Sequence, residues 1–221
     1  MAVRTMFDRI APHYDRMNAI VSWRLDRGWR RTAIAAAALC PGDVAVDLAC
    51  GTGNFLTLAA ATGARAVGVD FAAGMLAAAR HRDRGFRLVR ADATALPLAD
   101  GVADAITCGF ALRNFVALPP VFAEAARVLK PGGRIVLLEV GTPESPLARV
   151  GHHLWFRRAV PLLGALLADR AAYAYLPASV AYLPPTPTLL AMLDTAGFVG
   201  AAARPLLLGA AQLVTARRRT A

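Results

Sequence analysis

The sequence predicts an α/β fold: an open, mainly parallel sheet of seven strands with helices on both faces, a helical cover ahead of it and a helical insertion after the fifth strand. Three observations carry that expectation. Short apolar runs alternate with segments of helical periodicity about 10 to 15 residues long, the pattern of βαβ units and hence of a parallel sheet. The first apolar run ends in a glycine loop, Cys50-Gly51-Thr52-Gly53-Asn54. The 221 residues contain no repeat, low-complexity linker or long charge block, so one domain over 1–221 is the economical arrangement. Within it, 1–40 reads as the cover, 41–140 as the core, 141–185 as a lid or substrate insertion, and 186–221 as a closing helix and edge hairpin.

In chain order, Phe7 to Leu39 is mainly helical. After the turn Pro41-Gly42-Asp43, the run Val44 to Ala49 is a buried strand that feeds the glycine loop, and a helix follows through Ala61. Ala66 to Asp70 is the second strand, Ala72 to Arg80 a helix, Phe86 to Ala91 the third strand and Val102 to Phe110 the fourth. Phe115 to Leu129 carries apolar residues at helical spacing and stops at Lys130-Pro131-Gly132-Gly133, after which Arg134 to Val140 is the fifth strand. Leu147 to Ala168 and Arg170 to Tyr182 read as the helical insertion. Pro187 to Ala196 is a further helix ending at Gly197, and Phe198 to Pro205 with Gly209 to Arg217 form an antiparallel edge hairpin.

Composition excludes more than it selects. The chain is 57% hydrophobic, but 49 residues are alanine, which is comfortable on helix surfaces. The stretch Ala159 to Ala168 is interrupted by Pro161 and Gly164 and falls short of the ~20 residues of a spanning helix, so a transmembrane protein is ruled out. The start, Met1 to Asp8, has no apolar signal core, which predicts a cytoplasmic protein. Cys40, Cys50 and Cys108 are too widely spaced for a metal site or a disulfide framework and read as small buried apolar residues. The net charge of +10 comes from 24 arginines and Lys130. It suits anionic lipid, nucleic acid or acidic small molecules alike.

The glycine loop is more selective. In an open parallel sheet, ligands bind beyond the carboxyl ends of the strands at the switch point, where the first βα loop lies. A dinucleotide fingerprint needs a third glycine, and that position is Leu56. What remains is Asp47 ahead of the loop, Asp70 closing the second strand and Asp92 closing the third. Carboxylates at successive strand ends suit hydroxyl and amine donors and oppose a phosphate. Taken singly, each is an ordinary cap or turn residue; three in register point to a nucleoside without phosphates.

This arrangement resembles the Rossmann-like class I S-adenosyl-L-methionine-dependent methyltransferases. The resemblance implies that Gly51, Thr52 and Gly53 let the backbone approach the methionine part, that Asp47 faces its amino-acid end and that Asp70 takes the ribose hydroxyls. It places the adenine amino edge at Asp92 and Ala93, with Phe71 or Met75 against the ring.

The flanks resemble a narrower family. Tyr14-Asp15-Arg16-Met17-Asn18-Ala19-Ile20-Val21-Ser22, ending in Trp29, is similar to the first signature of the ubiquinone and menaquinone biosynthesis C-methyltransferases, and Arg127 to Glu139 is similar to the second. Phe110-Ala111-Leu112-Arg113-Asn114 resembles the family's F-G-L-R-N segment, and Tyr173-Ala174-Tyr175-Leu176 with Ser179 its Y-x-Y-L-x-x-S stretch. Four positions depart from the pattern: Asp26 where His is usual, Gly109 where Ser is common, Gly141 in place of Ser, and Ala181 in place of Arg. Gly109 thereby removes one side-chain contact to the cofactor.

The resemblance implies methyl transfer to a ring carbon of a prenylated naphthoquinol or benzoquinol, without a covalent nucleophile or metal. The short N-terminus favours the naphthoquinol, demethylmenaquinol. A quinol carbon is nucleophilic when the neighbouring oxygen is ionised, so the site must stabilise an oxyanion and align the carbon. Arg113 is the candidate for that charge and Asn114 its hydrogen-bonding companion, while Tyr14 and Asp15 on the cover are candidates either to close over the methionine end or to relay a proton, with simple packing the alternative for Tyr14. His13, His152 and His153 are histidines near the mouth, each more in keeping with a surface or packing role.

A prenyl tail needs an apolar groove. Leu154 to Leu167, interleaved with Arg157 and Arg158, reads equally as a lid touching the inner face of the membrane and as a core helix with two exposed arginines. A homodimer is compatible with the sequence, and no nucleic-acid module has room in it. Two alternatives stay open: a methyltransferase for a soluble phenolic compound, and one for RNA.

Overall fold

The central strands are legible in their chemistry, because a strand covered on both faces is apolar throughout. In the computed structural model, which describes residues 2–141, 143, 145, 149–150 and 179–220, this is β1 (Val44–Leu48), with every residue from Ala45 onward buried. It lies within a sheet that also contains β2 (Arg65–Asp70), β3 (Arg87–Arg90), β4 (Ala103–Gly109), β5 (Leu129–Val140), β6 (Phe198–Leu206) and β7 (Ala211–Arg218). The seven strands run in the order β3-β2-β1-β4-β5-β7-β6. β1 to β5 are mutually parallel, and β7 is antiparallel to both β5 and β6. The order reverses between β1 and β4, which makes their carboxyl ends the ligand crevice.

Alternation along the strands divides the core. Val46, Leu48, Ile106 and Leu137 face one side, against Phe122 of α6 (Leu118–Val128) and Leu193 of α7 (Thr186–Thr195). Ala45, Ala105, Val136 and Leu138 face the other, against Ala33 and Ile34 of α3 (Asp26–Ala37) and Phe55 of α4 (Asn54–Ala60). Gly53 begins α4 with φ +83°, and a Cβ there would stand 2.9 Å from the Phe86 ring, so the close turn from loop to helix needs glycine.

The cover consists of α1 (Ala2–Ile10), a 3-10 turn (Ala11–His13) and α2 (Tyr14–Val21), followed by α3. Ile10, Ala11 and Met17 pack on Ala72 and on Met75 of α5 (Ala73–Arg82). Asp8 Oδ1 accepts the Gly74 N–H at 2.7 Å. The two backbones are so close that a Cβ on Gly74 would lie 2.8 Å from the Asp8 carbonyl oxygen and 3.0 Å from its Cα. Gly74→Ala is therefore expected to lift the cover at a cost of ~1–3 kcal/mol. Hydrogen exchange should speed up over residues 2–21 while β1 and β4 stay protected; unchanged exchange in the cover would contradict the close fit.

The structure corrects the sequence reading at several points. The helix expected from Phe115 starts at Leu118, because Pro119 and Pro120 fit the first helical turn and Phe115 remains extended. It ends at Val128, one residue short of the expected Leu129, and Leu129 to Gly133 belong to a longer β5, with a register irregularity between Ala103 and Ala105 of β4. Cys50 and Cys108 are buried, whereas Cys40 is exposed, since it sits past the end of α3 in the turn before β1. His13 is also exposed. Most of the insertion expected to be helical, with His152, His153, Tyr173 to Leu176 and Leu154 to Leu167, lies outside the described residues. Among the described residues, no helix is long and apolar enough to cross a membrane.

Candidate active site

A cavity of about 360 Å³, within the range of small-ligand sites, opens at the carboxyl ends of β1 to β4 under the cover. Strand ends supply its polar groups, because the chain leaves each parallel strand there and turns back over the sheet. Asp70 and Asp92 both line it. Asp70 Oδ2 accepts the Gly51 N–H at 2.8 Å and its Oδ1 the Ala72 N–H at 2.9 Å, so this carboxylate ties the glycine loop to β2. Burial raises the Asp70 pKa against the lowering effect of these backbone donors. Asp92 Oδ1 accepts the Thr94 N–H and hydroxyl, at 2.9 and 2.8 Å. Its Oδ2 makes no hydrogen bond among the described residues.

Apolar groups complete the nucleoside end: Phe71, Met75 and Ala93 line the cavity with Val69 and Ala91. The opposite end carries Gly51, Tyr14, Gly109, Phe110 and Asn114. Thr52 and Gly53 do not line the cavity. The Thr52 hydroxyl donates to Asp15 Oδ1 at 2.7 Å, Asn54 Nδ2 to the same oxygen at 2.8 Å, and Arg82 pairs with Asp15 while its Nε donates to the Thr52 carbonyl. Thr52 thus fastens the cover to the glycine loop, with Asp15 as the latch. Beside it, Tyr14 reaches over Gly51, whose hypothetical Cβ would lie 3.8 Å from the Tyr14 ring.

Asp47 lies beneath the loop, 3% exposed, and accepts the Thr107 hydroxyl at 2.7 Å. Burial pushes its pKa up to about 7; the Thr107 hydrogen bond and the charge of Arg30 oppose the shift, and Asp70 adds to it. Cys50 and Cys108 nearby are held as thiols, chiefly by burial and then by the charge of Asp47.

Arg113 is likewise turned away from the cavity. Its 3-10 turn, Leu112–Asn114, points the guanidinium inward, where it pairs with Glu139 at the end of β5 and its Nε donates to Ser179 Oγ at 3.1 Å. Arg113 is 8% exposed and Glu139 fully buried. The expected direct contact between Arg113 and a substrate oxyanion is therefore replaced by a cation behind the wall, with Asn114 on its surface.

Sequence reasoning did not single out Glu139 as Arg113's partner, nor the lining residues Phe7, Phe115, Val116 and Ala117. It also passed over Arg30, buried on α3 between two phenylalanine rings. The available signal was spacing: Asp26, Arg30, Ala33, Ile34 and Ala37 fall on one helical face and all are buried.

Comparison with known proteins adds the chemistry. The model of the ubiE/COQ5 methyltransferase family matches residues 1–217. The chain is 44% identical to a demethylmenaquinone methyltransferase of Roseiflexus sp. (strain RS-1), covering 98% of this chain and 93% of the relative. It is 36% identical to the ubiquinone/menaquinone biosynthesis C-methyltransferase UbiE of Geobacter sulfurreducens, over 98% of this chain and 88% of the relative. A solved S-adenosylmethionine-dependent methyltransferase of Thermotoga maritima superposes with a TM-score of 0.67 at 21% identity, covering 97% of this chain and 99% of that one.

Proposed function

The chain belongs to the ubiE/COQ5 methyltransferase family, and from that premise we propose that it methylates a ring carbon of a prenylated naphthoquinol, converting demethylmenaquinol to menaquinol. It is an S-adenosyl-L-methionine-dependent C-methyltransferase of menaquinone or ubiquinone biosynthesis. The observation that carries the naphthoquinol reading is the 44% identity to a demethylmenaquinone methyltransferase over nearly the whole chain.

The cavity suits the cofactor. Two strand-end acids among apolar walls match a nucleoside, and no lysine or arginine that would answer a phosphate lines it among the described residues. Asp70 would take the ribose hydroxyls, Asp92 and the backbone of Ala93 the adenine edge, and Phe71 and Met75 would flank the ring. Gly51 and Gly109 leave room for the methionine part, and Asp47 beneath the loop faces its ammonium group electrostatically. When bound, the cofactor supplies an electrophilic methyl group.

The remaining work falls to the wall near Gly109. Asn114 offers its amide to the quinol oxygen next to the reacting carbon, and the buried Arg113 behind it favours negative charge there. Tyr14, fixed over Gly51 by the Asp15 latch, closes the methionine end against water. Phe115, Val116 and Ala117 carry an apolar strip outward from Asn114, and the fully exposed Val116 at the mouth suits a prenyl chain. With a net charge of +10, this mouth would work against an anionic lipid surface.

A methyl-transfer assay with demethylmenaquinol and a demethylated benzoquinol side by side tests the reading. The naphthoquinol is expected to be the better acceptor. Preference for the benzoquinol would move the substrate within the family. Transfer to neither, with S-adenosylhomocysteine still bound, would end the quinol assignment and favour a soluble phenol.

A further inference from the structure

We propose that Arg30 is a cofactor-contacting residue, which receives the carboxylate of the methyl donor's amino-acid end beside Gly109. This rests on the methyl-donor reading above and assigns a residue to the part of the cofactor that the strand-end acids do not answer.

Arg30 is a buried cation whose terminal nitrogens have no counterpart. It is 6% exposed, and among the described residues its guanidinium has a single hydrogen bond, from Nε to Asp26 Oδ2 at 3.4 Å. Asp26 is itself held by the Ser22 hydroxyl at 2.7 Å. Neither Nη atom has an acceptor there. The Nη atoms thus keep a little exposed surface, and an incoming carboxylate is the group that would pair with them in bidentate fashion.

Its placement gives the carboxylate a route. The guanidinium carbon lies 5.4 Å from the centroid of Phe55 and 5.2 Å from that of Phe110, so two rings fix its plane. Phe110 lines the cavity with φ +58°, held by its N–H to the Leu138 carbonyl at 2.7 Å and by the Trp29 ring. Gly109, also on the cavity wall, lies directly in front of Arg30. A Cβ there would stand 3.4 Å from Arg30 Nη1 and only 2.3 Å from the Phe55 ring. The place that a side chain at 109 would take is thus filled by the Phe55 ring, which brings Arg30 Nη1 close to the backbone of a cavity-lining residue.

Two departures from the family pattern, Asp26 and Gly109, therefore meet at one residue. Asp26 anchors Arg30 from behind, and the missing side chain at Gly109 lets the Phe55 ring and the Arg30 guanidinium pack close to the end of β4. On the other side stands Asp47, close enough to feel the Arg30 charge. Neither side chain lines the cavity itself, but a buried cation packed near its Gly109 wall and a buried carboxyl coupled to that cation are complementary to a zwitterion, the amino acid part of the methyl donor.

Isothermal titration with S-adenosylhomocysteine and its decarboxylated analogue tests the assignment without turnover. The wild-type protein should bind the carboxylate-bearing compound at least tenfold more tightly. Arg30→Met should abolish that preference by weakening S-adenosylhomocysteine alone, and Arg30→Lys should restore part of it. Arg30→Gln, which removes the charge and keeps a polar head, should also reduce the preference and serves if Arg30→Met does not fold. Equal weakening of both compounds by Arg30→Met, or by Arg30→Gln where that variant serves, would overturn the assignment and make Arg30 a packing residue. A wild-type protein that binds both equally would overturn it while sparing the methyl-donor reading. Binding of neither would overturn both.

Discussion

Arg113→Ala is expected to destabilise the protein by ~3–5 kcal/mol, because it leaves Glu139 as an uncompensated charge in the interior. Glu139 is fully buried; its Oε1 accepts from Arg113 and from the Val140 N–H, while Oε2 has no partner among the described residues. For a chain of this length the melting temperature should fall by roughly 10 °C or more. The single variant would therefore lose activity whether or not the arginine takes part in the reaction. The double variant Arg113→Met/Glu139→Gln separates the two. It removes both charges and keeps an acceptor for the Val140 N–H, so most of the lost stability should return. Turnover should nevertheless remain reduced by roughly tenfold, with S-adenosylhomocysteine affinity near that of the wild type, if the cation behind Asn114 stabilises the quinol oxyanion. Full turnover in the refolded double variant would reduce Arg113 to a structural role.

Asp47→Asn should stabilise the free protein at neutral pH and weaken its hold on the cofactor. The folded state keeps the Asp47 proton up to about pH 7, whereas the unfolded chain releases it near the ordinary carboxyl value of 3.8. Between those values the folded state binds more protons, so stability falls as pH rises from about 4 to about 7 and then levels off. The asparagine variant lacks that slope. At pH 8 it should be more stable by ~2–4 kcal/mol, which raises the melting temperature by several degrees. The groups facing Asp47 are the Thr107 hydroxyl, Arg30, Asp70 and the thiols of Cys50 and Cys108. Of these, only Arg30 brings a compensating charge. Cofactor affinity of the wild type should rise with pH through about 7, as Asp47 ionises to meet the ammonium group, and the variant should show a flat profile. Thermal melts at pH 5 and pH 8 measure the first effect and titration with S-adenosylhomocysteine the second. A variant that binds as well as the wild type would remove Asp47 from cofactor recognition.

The site was partly readable in the chain because some of its groups are fixed by local geometry. Asp70 and Asp92 each close a strand and are followed by a turn, so their place at the crevice follows from the strand pattern alone. Gly51 and Gly53 mark the tight loop for the same reason. Thr52 lies in that loop too, but a side chain there can point inward or outward, and Asp15 of the cover turns it outward.

Direction of side chains was the harder matter. Arg113 sits where expected, just beyond β4, yet its guanidinium goes to Glu139, 26 residues away in sequence, and not to the cavity. Arg30 was one of 24 arginines, and the helical spacing that buries it does not say which rings enclose it.

Strand periodicity, helix-breaking prolines and the glycine loop are local properties, and with them the sequence by itself determined the α/β architecture, the strand-end acids and the family. Tertiary structure alone decided which charges are buried in pairs, and where a missing side chain lets a ring and a cation pack against the end of a strand. Those outcomes depend on residues brought together from the cover, α4, β4 and β5, and on the low polarizability of the interior that makes each unpaired charge expensive.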